Sequence, residues 1–458
     1  MIRAAASRSQ LTTLAGAGLI AIGGIVAALA VSALSGTKTG FILAILAIFG
    51  PAFAYFAIVA PLVLPFGLYV GLVPFDNLLS VSAFGTLTKF LGAVSGAALI
   101  LYLLRTRRAL MPGPSLFLWA ALTVWAATTA FWALDSQLVF AQVGTLLELV
   151  VLYAAISVFP ADRAAVRWTM FAVIVGGIAA AAYGAYLFHN GTDIYYGGRL
   201  RITTDTGAID PNQFAAAMLL PVALCLTWLL HTRKLFVGIA NAAALAMLLL
   251  GVTLSASRGA VLAICLMVVY FLVRSRNRLR LLAFMAIGAL VAAPLSTQSQ
   301  LWERFGEALT TGGNGRMSIW RVGVQAAKQH WLLGAGFGNF PLAYDRVFLQ
   351  TAHLNWADAS WHRGSHNLLV GASVELGLIG VALLIGAWAA QFFMLRDIGS
   401  EDPEYPERIA LEATVIGTFF AALFLDVMTF KYVWLTFMLI ALVRNSHLLR
   451  RRRPPQNA

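Results

Sequence analysis

Residues 235–254 read LFVGIANAAALAMLLLGVTL, a run without a single charge. About 20 apolar residues is the length at which an α-helix, rising ~1.5 Å per residue, crosses the hydrocarbon core of a bilayer. Comparable stretches recur at Leu11 to Leu34, Leu116 to Leu134, Gln137 to Phe159 and Leu368 to Leu395. Lipid offers no hydrogen-bond partner to an open backbone, so each is expected to be a helix. The whole chain agrees: of 458 residues 60% are hydrophobic and 11% charged, and the mean hydropathy is +0.81. Soluble domains are about a quarter charged. The expected fold is therefore an all-α polytopic membrane protein.

The formal net charge of +13 does not point to nucleic acid, because the basic residues stand in short clusters between apolar runs, as the positive-inside rule describes. These are Arg105 to Arg108, Arg163 with Arg167, Arg233 with Lys234, Arg274 to Arg280 and Arg450 to Arg453. All are assigned to the cytoplasm. Leu11 to Leu34 exceeds the roughly 7–15 apolar residues of a cleaved signal peptide, so it is expected to stay as the first span, with both termini cytoplasmic. Alternation of sides gives about 12 transmembrane helices if the proline-broken segment Gly40 to Pro74 enters and leaves on one side. Two short full crossings there give 14. Cys225 and Cys265 lie inside apolar runs and suggest neither a disulfide nor a metal site.

Two polar segments fall opposite the cytoplasm: residues 188–209, a first external loop, and residues 296–365, a large one. In the second, Met317, Trp320, Val324, Ala327 and Trp331 recur at steps of three and four, with Arg321, Gln325 and Lys328 elsewhere on the wheel. This predicts an amphipathic helix at the outer membrane surface or over a cavity. The glycines of Gly334 to Phe340 permit a tight backbone path; no strand precedes them, which argues against a nucleotide loop.

The same face of the membrane collects arginines that positive-inside sorting does not explain: Arg199, Arg201, Arg258, Arg316 and Arg321. A guanidinium presents a fork of donors that matches phosphate. Arg258 and Arg316 adjoin glycine at expected helix starts, where amides and helix dipole also favour an anion. Headgroup contact by snorkelling is the alternative. His366 stands where polar loop gives way to apolar helix. The positive end of that helix keeps its ring neutral and able to accept a proton. Asp210 and Asn212 open another helix, with Asp210 as cap and Pro211 in the first turn. Glu375 and Asp426 are carboxylates within apolar surroundings, where ionisable groups carry either function or interhelical hydrogen bonds. Phe340, Tyr344, Phe348, Trp356 and Trp361 are placed either to stack on sugar rings or to anchor the chain at the interface. The external loops hold no carboxylate cluster suited to a divalent metal.

Asp210-Pro211-Asn212, Ser257-Arg258-Gly259-Ala260, Gly315-Arg316 with Ile319-Trp320, the Gly334 to Phe340 run, and Ser365-His366-Asn367 leading to Glu375-Leu376-Gly377 together resemble the O-antigen ligase and polymerase superfamily, most of all the ligases. The resemblance covers roughly Asp210 to Gly380. It implies a glycosyltransferase of the bacterial inner membrane with its active site facing the periplasm. The donor would be an undecaprenyl diphosphate-linked glycan and the acceptor lipid A-core, among membrane lipids, with no cofactor and no metal. His366 would be the catalytic base and Arg199, Arg201, Arg258, Arg316 and Arg321 the diphosphate ligands, supported by Asp210, Asn212, Glu375 and Asp426. O-antigen polymerase and protein O-oligosaccharyltransferase share the donor and remain alternatives, as does a polysaccharide flippase of another class.

The topology has a direct test. In a variant whose native cysteines are replaced, a cysteine at Gln350 is expected to react with an impermeant maleimide supplied from the periplasmic side. Reaction only after the cytoplasm is opened would invert the assignment.

Overall fold

The computed structural model describes residues 50, 53–78, 80–81, 85–191, 194–195, 198–204, 207–283, 306, 316–351 and 361–452. The expected first span Leu11 to Leu34, Gly315, His353, Trp356 and much of the 296–365 loop lie outside them. The described chain is built of helices, with three two-stranded hairpins between them. The helices are α1 (Pro65–Leu72, continued by a 3-10 turn Val73–Leu78), α2 (Leu87–Thr106), α3 (Pro114–Thr128), α4 (Ser136–Ser157), α5 (Arg163–His189), α6 (Pro211–Ala217), α7 (Leu219–His231), α8 (Leu235–Ser255), α9 (Arg258–Arg274), α10 (Arg316–Gln329), α11 (Phe340–Thr351), α12 (Leu368–Glu375), α13 (Gly377–Phe393), α14 (Tyr405–Ala422) and α15 (Lys431–Arg452). Among the described residues seven helical stretches are long and apolar enough to cross a membrane: α2, α3 with its 3-10 extension, α4, α5, α6 joined to α7, α8 and α15. Apolar α13 is shorter. The count of 12 to 14 extends over residues that are not described.

Part of the Gly40 to Pro74 segment can be followed. Trp168 Nε1 donates to Val63 O at 3.0 Å, Gly71 meets Gly176 backbone to backbone, and Phe75 packs on Tyr183. Residues 63–75 therefore run parallel to α5 and do not fold back along this length.

At one end of the bundle the basic clusters meet acids from the segment between α13 and α14. Arg276 pairs with Glu401 at 2.7 Å, Arg450 with Glu404 at 3.0 Å, and Arg408 with Glu412 at 2.7 Å. Arg408 and Glu412 are almost wholly buried, and removing one partner of such a pair costs ~3–5 kcal/mol because the other charge stays behind unpaired. Asp402, Glu404 and His447 bring possible ligand atoms within 4.8 Å of one another, but the Arg450 guanidinium already stands among them, 3.1 Å from His447 Nδ1.

The opposite end is organised by the glycine-rich turn after α10. Gly334, Gly336 and Gly338 all have positive φ, as does Gly377 at the break between α12 and α13. Ala335 N donates to Val374 O at 2.7 Å, Gly336 N to Glu375 O at 3.0 Å, and Leu378 N to Trp331 O at 2.8 Å. Asn339 and Asp135 exchange hydrogen bonds at 2.7 and 3.0 Å. A Cβ on Gly377 would lie 2.3 Å from Leu332 O, and one on Gly334 2.2 Å from Glu375 O. The glycines thus serve backbone-on-backbone packing of the external segment against the α12–α13 break.

The amphipathic helix forms as α10, and a second apolar face, beside the stripe read from the sequence, packs on the protein. Ile319, Val322, Gly323 and Ala326 are buried, in a small core with Phe340, Tyr344, Val347 and Val374. Of the stripe read from the sequence, Met317, Val324 and Trp331 are 49%, 47% and 62% exposed. The periodicity was real, yet two adjacent apolar stripes share this helix, and Gly323 and Ala326, being small, conceal the one that packs.

Replacing Gly377 with alanine combines a forced left-handed backbone with a clash that has no side chain to yield. A loss on the order of 1–3 kcal/mol from backbone strain alone is expected, read as a lowered midpoint in thermal unfolding of the detergent-purified protein, with Gly386→Ala, which meets only ordinary contacts, as the neutral control.

Candidate active site

His366 immediately precedes the cap of α12. Asn367 is that cap, its Oδ1 accepting from Leu369 N at 2.9 Å and Val370 N at 3.0 Å. His366 itself has φ +46°, a left-handed conformation that costs a side-chain-bearing residue ~1–2 kcal/mol. The bonds that hold it there come from Asp426, in the loop between α14 and α15. Asp426 Oδ2 accepts from His366 N at 3.0 Å, and Oδ1 accepts from the Ser365 hydroxyl. Trp320 of α10 donates its indole N–H to Ser365 O at 3.1 Å, so the amphipathic helix also grips the turn.

Among the described residues only four other than glycine have positive φ: Arg107, Ala256, His362 and His366. Ala256 directly precedes Ser257 and Arg258, so strain is concentrated beside two residues singled out for chemistry. Arg258 is the first residue of α9, and the Ser257 side chain does not cap that helix, leaving its leading amides to other acceptors. Arg316 is the first residue of α10. Phe424 links the two starts: it lies within 4 Å of the Cβ position of Gly259 and packs on Trp320.

The His366 ring remains partly open to solvent. Its pKa nevertheless falls below the usual 6.5: withdrawal of water by the surrounding protein is the leading cause, and Arg316 and Arg363 add to it, while Asp426 and Asp210 act in the opposite sense. The direction favours the neutral imidazole, with desolvation as its main cause. These influences also locate its neighbours, since Asp210, Arg316, Arg363 and Asp426 all lie within electrostatic reach.

Other residues fall into different places. Asp210 caps α6, accepting from Asn212 N at 2.8 Å and Gln213 N at 3.3 Å. Arg199 is buried, donating from Nε to Ser255 O at 3.0 Å and from Nη2 to Asn212 Oδ1 at 2.9 Å. It ties the first external loop to the end of α8 and the start of α6. Arg201 is half-buried on the same loop, and Arg321 is exposed on the outer polar face of α10, on the far side of that helix from its packed face. Glu375 Oε1 accepts from Phe340 N at 3.1 Å and fastens the start of α11. Phe340 and Tyr344 are buried, each stacked on its neighbour along α11, so they form core where a sugar platform was an alternative; Trp361, packed edge-on against Phe348, is exposed.

Sequence reasoning missed Ser365 and Trp320 as partners of this turn, Arg363, and Lys431, whose Nζ meets Asp76 Oδ1 at 2.6 Å and Thr88 Oγ1 at 2.9 Å at the start of α15. A lysine opening an apolar run opposite an aspartate in another apolar stretch was the available signal.

Residues 242–385 match the family model Wzy_C, O-antigen ligase. The matched stretch supports membership of the O-antigen ligase superfamily. The match runs from within α8 into α13 and contains Arg258, Arg316, His366 and Glu375, so the superfamily inferred from the motifs holds for this stretch. Arg199 and Asp426 lie outside the matched stretch and hydrogen-bond to it, at Ser255 and at Ser365 and His366; Asp210, also outside it, acts on His366 through its charge. No curated protein matches the chain.

Histidine titration followed by NMR, with His366 assigned by its substitution, is expected to give a midpoint below 6.5. Asp426→Asn removes a negative charge that favours imidazolium, so the midpoint should move lower still. An upward shift in that variant would contradict the electrostatic assignment.

Proposed function

We propose that the protein is an O-antigen ligase, transferring a glycan from a polyprenyl diphosphate to lipid A-core on the periplasmic face of the inner membrane. The observation that carries this reading is the neutral, strained His366, bonded through its backbone to Asp426 and within the field of Arg316, inside a domain of this superfamily. Helical spans and family domain together describe a multi-pass membrane protein with lipid-linked substrates.

An acceptor hydroxyl approaches the anomeric carbon of the donor glycan. His366 takes the hydroxyl proton as the new C–O bond forms, and the bond from the anomeric carbon to the diphosphate oxygen breaks. The electron pair leaves with the polyprenyl diphosphate, whose charge Arg258 and Arg316 stabilise beside the leading amides of α9 and α10. One displacement inverts the anomeric centre. The energy resides in the diphosphate linkage. Arg199 acts as the clamp that holds the end of α8 and the start of α6 in register, and Arg201 stands beside it on the same loop. The polymerase and the protein O-oligosaccharyltransferase would differ in acceptor only.

Single-turnover transfer at saturating donor is expected to fall about 10²–10⁴-fold in His366→Ala, the range of a lost general base, with donor binding retained. His231→Ala, at the opposite end of α7, should transfer normally. Arg258→Ala and Arg316→Ala should weaken donor binding as well as transfer, and lysine should rescue little because it lacks the planar fork. Chelator should leave the wild-type rate unchanged. A His366→Ala protein that transfers at the wild-type rate would remove the catalytic assignment.

A further inference from the structure

A cavity of about 300 Å³ opens beside the His366 turn, at the lower end of the roughly 300–1,000 Å³ typical of small-ligand sites. Its wall includes Gln142 of α4, Phe340, Glu375, and Asp426, Thr429 and Phe430 of the loop before α15. Gly364 also lines it, and a Cβ on that glycine would lie 4.0 Å from His366 Nε2 and 3.4 Å from Asp426 Oδ2. His366 is not itself in the wall, but its ring adjoins the wall at Gly364.

The composition of the wall selects its occupant. Asp426 contributes a carboxylate and Glu375 a carboxyl group whose Oε1 accepts from Phe340 N, and neither lysine nor arginine lines the cavity among the described residues. A diphosphate placed here would face the Asp426 carboxylate and no counter-ion among the described lining residues. A sugar hydroxyl is the converse, because carboxylate oxygens accept O–H bonds strongly. Gln142 supplies both donor and acceptor, Thr429 a hydroxyl, and Phe430 an apolar surface for the C–H face of a ring. Arg316 at the start of α10 acts on the histidine but is absent from the cavity wall, and an inverting displacement requires nucleophile and leaving group on opposite faces of the anomeric carbon.

We propose that this cavity is the acceptor-sugar subsite, taking one uncharged pyranose of the acceptor glycan and presenting its hydroxyl to His366. The proposal deepens the ligase reading and rests on it for the name of the acceptor. Glu375 and Asp426 orient the ring through its hydroxyls, while Gln142 and Thr429 distinguish one arrangement of hydroxyls from another.

The probe is a phosphate-free core oligosaccharide, bound to the detergent-purified full chain without donor and followed by saturation-transfer NMR. Gln142→Leu and Thr429→Val keep size and lose hydrogen bonds. Each is expected to weaken binding by about tenfold, the equivalent of one net hydrogen bond, and to raise the acceptor KM by a similar factor while donor KM stays unchanged. Thr429→Trp, which fills the cavity, should abolish oligosaccharide binding and leave binding of the donor intact. The subsite is overturned if the wild-type protein does not bind the oligosaccharide, if both conservative variants bind it equally well, or if donor KM rises instead. Failure of the ligase reading looks different: oligosaccharide binding that responds to these substitutions, with no transfer to lipid A-core.

Discussion

The carboxylate of Asp426 accepts from Ser365 Oγ and from His366 N, and on those two bonds depends the geometry of everything around the histidine. They join the turn before α12 to the loop before α15, two segments 60 residues apart in sequence. A left-handed backbone at a non-glycine residue persists only when its surroundings over-determine it. Here the surroundings are Asp426 on one side, Trp320 on the other and the Asn367 cap beneath. The loop that presents Asp426 is held in turn by the Lys431–Asp76 pair at 2.6 Å, so an ion pair at the edge of the site stabilises the position of a carboxylate at its centre.

Spans were legible in the sequence because length and hydropathy decide them. Every apolar run read from the sequence that falls within the described residues forms helix, and the polar position of His366 before α12 followed from the same reading. Side chains that work across the fold were not legible. Arg199 was read as a phosphate ligand because a basic residue in an external loop looks the same whether its donors meet a ligand or, as here, Ser255 O and Asn212 Oδ1. Spacing from His366 to Gly377 carried a family resemblance without its cause, which is that Gly377 admits the backbone of Leu332 and Gly334 where any Cβ would collide. The protein-packed face of α10 was not legible for a related reason: in a helix with two apolar stripes, hydropathy cannot tell protein from another apolar surface.

The two ends of the bundle handle charge by different rules. At the end with Arg163, Arg408 and Arg450, cations and carboxylates are paired, and several members are nearly inaccessible, as Glu404 and Glu412 are at 2% and 3% exposure. Such closure fixes the helix ends and leaves little capacity for a ligand. At the other end charge is segregated. Arg316 and Arg363 depress the basicity of His366 while Asp426 and Asp210 restore part of it, so the imidazole sits on a boundary between cationic and anionic surroundings.

That boundary is what a transfer between two lipid-linked sugars requires. The leaving group carries two phosphates and has to be met by cations, whereas the nucleophile is a neutral hydroxyl that has to be relieved of a proton. Cations around the whole histidine would drain its basicity and attract phosphate to both faces; carboxylates around it would raise the pKa and leave it protonated near neutrality, unable to accept. In the proposed reaction, Arg316 at the start of α10 and the Asp426 carboxylate at the cavity would let His366 between them stay neutral and close to both substrates. The separation is fixed by helix starts and a short loop, and the strain at Ala256 and His366 is the local cost of bringing them together.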